Sequence, residues 1–212
     1  MTRTATSRTR EDALGWARTG TDLVLARATG LTDTDVAADS TLPGWTVGQV
    51  LGHVAANAVA LTNLATWAAT GVETPMYPSV QARDADLAAA RERSAAELVS
   101  AIAATAEALA LALARLDDEQ WTHQVRTIQG RRLPASEIPW LRARETCVHA
   151  VDLGASFTDL PADFLAALVD DICVKRGLDV GALPAGGDAE VAAWLAGRDH
   201  GLVDAPEIGP WL

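Results

Sequence analysis

Glu145 and His149 are the residues of this sequence whose types and spacing most directly suggest chemistry. Residues four apart on a helix lie one turn apart on the same face, so these two side chains could share one divalent metal ion. His53, in an earlier apolar segment, could complete a set of two histidines and one carboxylate if the two helices face each other. Asp152 continues the face of the second helix. Such a set leaves positions open for water or a thiol.

The spacing by itself is weak evidence for a metal site. The sequence contains four histidines and 28 acidic residues, so an acidic residue four positions before some histidine is expected by chance about half the time. Exposed histidines, or core histidines with satisfied hydrogen bonds, therefore stay open as alternatives. Asn57, one turn after His53, is equally consistent with a substrate contact and with a hydrogen bond between helices.

The remaining histidines and the cysteines are weaker candidates. His123 falls in a predicted extended segment and His200 in the C-terminal tail, so we expect both on the surface. Cys147 lies two residues from each helical metal candidate, about 200° around the helix, and should point away from the metal as a small apolar group. Cys173 is interpreted in the same way. The sequence therefore predicts no cysteine nucleophile.

Composition limits the class of protein. The chain has 212 residues, of which 49% are hydrophobic and 5% aromatic, with alanine supplying much of the apolar content, and this favours packed helices. A net charge of −11 opposes binding to nucleic acid or to an anionic membrane. The N-terminal stretch lacks the apolar segment of a secretory signal, and no run of about 18 uninterrupted apolar residues is present. Two cysteines suit a reducing cytoplasm.

Apolar periodicity and turn residues predict four long helices, two shorter ones and a weak hairpin. Capping residues and glycines mark several of the ends, such as Thr46 with Gln49 at a start and Gly71 at an end. The long helices are predicted at about 11–29, 46–70, 84–116 and 138–157, the shorter ones at about 161–177 and 188–197, and the hairpin at 121–133.

Several ordered motifs resemble one known family. They cover most of residues 40 to 157 and comprise Leu42–Thr46, Gly52–Leu61, Thr70–Tyr77, Gln129–Arg131, Pro134–Glu137 and Arg144–Gly154. On these motifs the sequence resembles the mycothiol-dependent maleylpyruvate isomerases of the DinB-like metalloenzyme superfamily. The resemblance implies a mainly α fold, a DinB-like four-helix bundle with a short C-terminal α or α+β extension.

The same resemblance implies a division of the chain and a ligand set. Residues 1–158 would form the metal-binding bundle, and 159–212 a shortened C-terminal region that carries Arg198. The family's zinc ligands map onto His53, Glu145 and His149, so Zn²⁺ or another divalent metal is expected there. Cys147 stands where the family is expected to have an aromatic residue.

The activity implied by the resemblance is mycothiol-dependent cis-trans isomerisation of maleylpyruvate to fumarylpyruvate, a step of gentisate catabolism. Zinc-bound mycothiol thiolate would add to the double bond and leave again after rotation. Arg198 is the candidate cation for the dianionic substrate, with Arg144 as second choice, and Asp152 would orient a ligand histidine. Asn57 and Tyr77 are further candidate contacts for substrate or thiol.

Two other functions stay open on the sequence. A mycothiol S-transferase would use the same metal residues to conjugate electrophiles permanently, and a non-catalytic metal or small-molecule binding protein would keep the bundle without an open coordination site. The expected partners are a small-molecule substrate and a low-molecular-weight thiol, with no nucleic acid and no membrane. The chain is expected to act as a monomer or homodimer in the cytoplasm.

Overall fold

A computed structural model describes residues 8–209 and 211 of the chain, so the expectations for residues 1–7 and for the last residue lie outside the described part. Helices dominate, and the strands form one small antiparallel pair. In chain order the elements are α1 Arg10–Ala28, α2 Asp33–Ala37, α3 Val47–Thr70, α4 Val80–Ala89, α5 Ala95–Ala114, β1 Gln124–Arg126, β2 Arg132–Pro134, α6 Ile138–Asp152, α7 Ala162–Arg176 and α8 Asp188–Leu195.

Helices α1, α3, α5 and α6 form a four-helix bundle. Helix α1 packs against α5 and α6, and α3 packs against the same two helices. Three of the four begin at a hydroxyl N-cap in a reciprocal capping box, at Thr9, Thr46 and Ser94, which satisfies backbone N–H groups that have no partner within the helix. The predicted mainly α bundle is confirmed.

The prediction of one long helix over 84–116 is wrong, because the helix is interrupted between α4 and α5. Arg93 has extended backbone angles, and Ser94 caps α5 by accepting a hydrogen bond from the Glu97 N–H. The Glu97 carboxylate accepts in return from the Ser94 N–H at 2.8 Å. The short helix α2 was also not predicted, although Thr32 and Asp35 form a capping box at its start.

The second metal-candidate helix is shorter than predicted, whereas the hairpin is confirmed. Helix α6 ends at Asp152 because Gly154 takes a positive φ of 93°, a conformation that interrupts the helix. Strands β1 and β2 pair antiparallel, with Val125 opposite Leu133, and both of these side chains are buried. The hairpin lies against α3.

The C-terminal helices share a core with the bundle. Trp16 of α1 and Trp140 of α6 pack edge-on with ring centroids 5.8 Å apart, and Phe164 of α7 lies 5.8 Å from each of them. Trp194 of α8 belongs to the same buried cluster. This cluster spans the predicted boundary at residue 158, and the division of the chain there stays a prediction.

Helix α5 is the one helix in the described part of the chain that is long and apolar enough to cross a membrane, by length and composition only. It lies in the bundle with Leu98, Ile102 and Leu109 buried, and 22% of its most apolar window is buried. A core helix can meet the same criterion, so this is weak evidence for a membrane. The expectation that the protein binds no membrane stays a prediction.

Gly20 allows α1 to lie directly against α6. A Cβ atom at this position would come 2.3 Å from Thr146 Oγ1 and 2.8 Å from both the backbone nitrogen and the sulfur of Cys147. Because Thr146 and Cys147 are fully buried, neither can move aside cheaply. We expect Gly20→Ala to lower the free energy of unfolding by about 1–3 kcal/mol, measured by urea denaturation.

Gly15 provides the matched control on the same helix. A Cβ atom there meets nothing within 4 Å, so Gly15→Ala should raise the free energy of unfolding by about 0.5–1 kcal/mol through helix propensity alone. Equal effects of the two alanine substitutions would contradict the close helix contact at Gly20.

Candidate metal centre

Two helices that pack against each other bring the three predicted ligands together. Helix α3 supplies His53, and α6 supplies Glu145 and His149 from one face. His53 Nε2 lies 2.9 Å from Glu145 Oε2, and His149 Nε2 lies 3.5 Å from the same oxygen. The three ligand atoms are all within 4.8 Å of one another. Their side chains are mostly buried, so the cluster is held by packing on both helices.

Asp152 fixes the orientation of His149. The ring nitrogen Nδ1 of His149 lies 2.8 Å from Asp152 Oδ2. An ionised carboxylate only accepts hydrogen bonds, so Nδ1 carries a proton and donates it, and Nε2 is the nitrogen that faces the cluster. A carboxylate behind a ligand histidine is a common arrangement at metal sites, where it sets the tautomer and the ring orientation.

Arg198 supports the same carboxylate from the far side. Its Nε donates to Asp152 Oδ1 at 3.1 Å and its Nη2 to Asp152 Oδ2 at 2.8 Å. Its Nη1 donates to the backbone carbonyls of Ala196 and Trp211, at 2.7 Å each. Four of the five N–H donors of this guanidinium are therefore engaged within the protein. The sequence predicted Arg198 as the cation for the substrate, and that role stays a prediction.

Electrostatics keep the carboxylates of the cluster ionised. Burial raises the pKa of Glu145, but hydrogen bonds and positive charge from His149 and His53 outweigh burial and hold it well below its usual value. Burial likewise raises the pKa of Asp152, and the hydrogen bonds of His149 and Arg198 reverse the shift. The pKa of His149 is raised, because its bonds to the two carboxylates outweigh burial. A metal would therefore compete with a proton for His149 Nε2.

The cluster opens onto a cleft of about 1020 Å³. Trp45 borders it and places its ring edge-on to His53, with centroids 5.5 Å apart. Apolar side chains form much of the wall, with Leu61 and Leu141 from the bundle and the others from loops and the C-terminal region, and residues 205–209 of the C-terminal tail lie along it. The charged residues of the lining, apart from the cluster, are Arg83, Arg144, Arg198, Asp199 and Glu207.

The other predicted contacts also line this cleft. Asn57, Tyr77 and Arg144 are all part of the lining. Burial raises the pKa of Tyr77 to about 12, so its hydroxyl is neutral at physiological pH and can donate. Arg144 pairs with Asp171, its Nη1 lying 3.0 Å from the carboxylate oxygen, and its guanidinium lies over the ring of Trp211.

Two cations near the cluster were missed by the sequence analysis. Arg83 of α4 borders the cleft with 37% of its side chain exposed. Arg142 of α6 is 2% exposed and reaches across to α3, where its Nη1 donates to Val54 O and Asn57 Oδ1. A signal for Arg142 existed, because it lies three residues before Glu145 on the same face. No comparable signal marks Arg83.

The weaker candidates lie mostly where they were expected. His123 is partly buried and its Nδ1 lies 2.7 Å from the carbonyl of Ala68, whereas His200 is exposed and borders the cleft, which the sequence did not indicate. Cys147 is buried against α1, with its sulfur 3.5 Å from Trp16 O, and burial raises the pKa of its thiol to about 12. A thiol in that environment stays protonated and unreactive.

Fold and site together define a DinB-like helical bundle, in which facing helices present two histidines and a glutamate to a cleft. Comparison with known proteins gives the family. The model of the mycothiol maleylpyruvate isomerase N-terminal domain matches residues 17–154. No curated protein is significantly similar in sequence.

Two solved structures are similar over nearly the whole chain. They are described as the mycothiol-dependent maleylpyruvate isomerase and a variant of it in which one histidine is replaced by alanine. Each is 32% identical to this chain, has a TM-score of 0.88, and is matched over 96% of this chain and 98% of its own. The chain belongs to the mycothiol-dependent maleylpyruvate isomerase family. Its C-terminal region is not shortened relative to these structures.

Proposed function

We propose that this protein is an isomerase that converts maleylpyruvate to fumarylpyruvate with mycothiol as its thiol cofactor. The observation that carries the proposal is the complete His53–Glu145–His149 cluster at the wall of a large cleft, in a chain that matches the solved isomerase over 96% of its length. The cleft volume falls at the upper end of the range for small-molecule sites.

The donor set fits a zinc ion. Zinc binds imidazole nitrogen and carboxylate oxygen at about 2.0–2.2 Å, so two ligand atoms on a tetrahedral ion are about 3.3 Å apart. The observed 2.9 and 3.5 Å separations from Glu145 Oε2 lie on either side of that value. Three protein ligands leave coordination positions open, as in catalytic zinc sites. A zinc ion held by these residues would lower the pKa of a bound thiol and so favour the thiolate.

Mycothiol, when bound, supplies a thiol whose reversible addition converts the cis double bond of maleylpyruvate into a single bond that can rotate. The residues of the chain must then bind a dianion beside the cluster and exclude water. Among the described cations of the lining, Arg83 and Arg144 have more N–H donors without a protein partner than Arg198, although Arg144 also pairs with Asp171, so we assign them to the carboxylates.

Negative charge develops on the keto-acid portion of the substrate as the thiol adds. Donors fixed in advance stabilise such charge because they need no reorganisation during the reaction. The neutral hydroxyl of Tyr77 is one donor in the lining. Asp152 holds His149 in one tautomer throughout.

The test is direct assay of the purified protein loaded with zinc. Maleylpyruvate is supplied with and without mycothiol, and both loss of the cis substrate and formation of fumarylpyruvate are followed by liquid chromatography. We expect turnover only when mycothiol is present, with the thiol recovered unchanged. A cysteine thiol such as N-acetylcysteine, at the same concentration, serves as the control for non-enzymatic addition.

Other outcomes would support the competing functions. Stoichiometric consumption of mycothiol to a stable conjugate would favour an S-transferase, and the absence of any thiol-dependent reaction would favour a binding protein. We also propose that the protein acts in the cytoplasm as a monomer or homodimer. Light scattering of the purified protein during gel filtration would decide between these two states.

A further inference from the structure

Arg142 is a buried cation that pairs with neutral groups. It is 2% exposed, and its Nη1 donates to Val54 O at 2.7 Å and to Asn57 Oδ1 at 2.9 Å. Its Nε and Nη2 have no hydrogen-bond partner. Among the described residues no carboxylate lies within salt-bridge distance of it. Glu145 offsets part of the cost of this buried charge through its own negative charge, but no carboxylate contacts the guanidinium, so its presence beside a functional site calls for a reason.

The contact with Arg142 determines how the Asn57 amide is oriented. A guanidinium only donates, so the amide atom that faces it must be the oxygen. The amide nitrogen then points away from Arg142. Asn57 borders the cleft, and its Nδ2 has no partner among the described residues and is not sealed from solvent. The group that Asn57 offers to the cleft is therefore an N–H donor, one helical turn from His53.

The charge on Arg142 strengthens this donor. Burial lowers the pKa of Arg142 to about 10, which still leaves it cationic at neutral pH. A cation bound to the oxygen of an amide draws electron density from its nitrogen, so hydrogen bonds in such a chain reinforce one another. Arg142 thus acts on the cleft through Asn57, although the described residues that line the cleft do not include it.

We propose that Asn57 is a substrate-binding residue whose amide nitrogen donates to an anionic oxygen of the substrate, and that Arg142 is the positioning residue that fixes and polarises that amide. The inference rests on the proposed isomerase function for the identity of the substrate. The structural argument requires only a carboxylate or enolate oxygen beside the metal cluster.

The first experiment observes the amide itself. The sequence contains two asparagines, Asn57 and Asn63. Protein labelled with ¹⁵N-asparagine therefore gives two side-chain NH₂ pairs, and Asn57→Ala identifies one of them. Asn63 is the internal reference, because its Nδ2 contacts the carbonyls of Pro75 and Met76. Maleylpyruvate is added to the zinc-loaded protein without mycothiol, so that no turnover occurs, and maleate is used as a second probe.

We expect saturating maleylpyruvate or maleate to shift the Asn57 pair and to leave the Asn63 pair in place. In Arg142→Met the Asn57 pair should respond much less, because the amide is free to turn. The proposal would be overturned if neither acid shifted the Asn57 NH₂ resonances of the wild-type protein.

The second experiment is a double-mutant cycle in the isomerase assay. Asn57→Ala should lower kcat/KM on the order of 10- to 100-fold, the effect of losing one hydrogen bond to a charged group. Arg142→Met should cause a similar loss alone and little further loss in the Asn57→Ala background, because it acts through Asn57. Arg142→Lys should recover part of the activity. Zinc content should stay at wild-type level throughout, and Arg91→Met, on an exposed turn, is the control for loss of an arginine.

The outcomes separate this proposal from the proposed function. If the wild-type protein does not isomerise maleylpyruvate but maleate still shifts the Asn57 pair, the isomerase function fails and the donor role stands. If turnover is normal but neither acid shifts the Asn57 NH₂ resonances, the proposed donor role of Asn57 is wrong and the isomerase function stands. If the losses in kcat/KM caused by Asn57→Ala and Arg142→Met were fully additive in the double variant, Arg142 would not act through Asn57. If Arg142→Met does not fold, Arg142→Lys and the wild-type titration still decide the proposal.

Discussion

Replacing Glu145 with glutamine is expected to abolish both tight zinc binding and thiol-dependent turnover. Glutamine has the same size but is neutral, and the one oxygen Oε2 of Glu145 faces the Nε2 atoms of both ligand histidines, at 2.9 Å from His53 and 3.5 Å from His149. Loss of a partner that only orients a ligand already weakens metal binding about 10- to 100-fold, and loss of a charged ligand should exceed that. Zinc per protein by mass spectrometry and kcat/KM measure the two effects.

Glu137→Gln is the matched control for this prediction. Glu137 precedes the same helix and pairs with Arg8. Its carboxylate takes no part in the metal cluster, so the substitution should leave zinc content and turnover unchanged. A Glu145→Gln protein that retains a full equivalent of zinc after dialysis against a chelator would show that the cluster binds metal differently, or binds none.

Part of the site could be predicted from the sequence, because it is local. The spacing of Glu145 and His149 places them on one helical face whatever the rest of the chain does. The contribution of His53 depends on α3 packing against α6, which spacing cannot reveal and which the family resemblance supplied. The link between Arg142 and Asn57 crosses the same interface at a separation of 85 residues, and no local pattern predicts which partner a buried arginine finds.

The errors in the fold have equally physical causes. The alanine-rich periodicity predicted one helix through Arg93, although Ser94 and Glu97 carried a capping-box signal for a new start. The alanines of this segment favour a continuous helix, but the cap determines where α5 begins. Helix α6 ends before Gly154 because this glycine takes a positive φ, which is again a local signal. The engagement of Arg198 with the Trp211 carbonyl could not be predicted, because it depends on where an irregular tail lies.

The second large effect is expected from Asp152→Asn, through His149. The Asp152 carboxylate accepts from His149 Nδ1 and from two nitrogens of Arg198, so the three nitrogen atoms that face it are all donors. An asparagine can place its oxygen toward one side only, and its NH₂ group must then face a donor. If the asparagine oxygen takes the place of Oδ2, it keeps the bonds from His149 and from Arg198 Nη2, but its NH₂ group then faces Arg198 Nε. If the amide is turned the other way, His149 must change tautomer and carry its proton on the nitrogen that binds metal. We expect zinc affinity to fall about 10- to 100-fold, measured by chelator competition.

Two further variants separate this effect from a general loss of charge. Asp159→Asn removes a carboxylate that pairs with Arg27 on the surface, and it should leave zinc affinity unchanged. Arg198→Met keeps the Asp152–His149 bond, so zinc affinity should fall less than in Asp152→Asn. If Arg198 also contacts the substrate, as predicted from the sequence, Arg198→Met should in addition raise KM for maleylpyruvate, and this rise should exceed the change in zinc affinity. Unchanged zinc affinity in Asp152→Asn would contradict the orienting role of Asp152, because the His149 ring would then be held by packing alone.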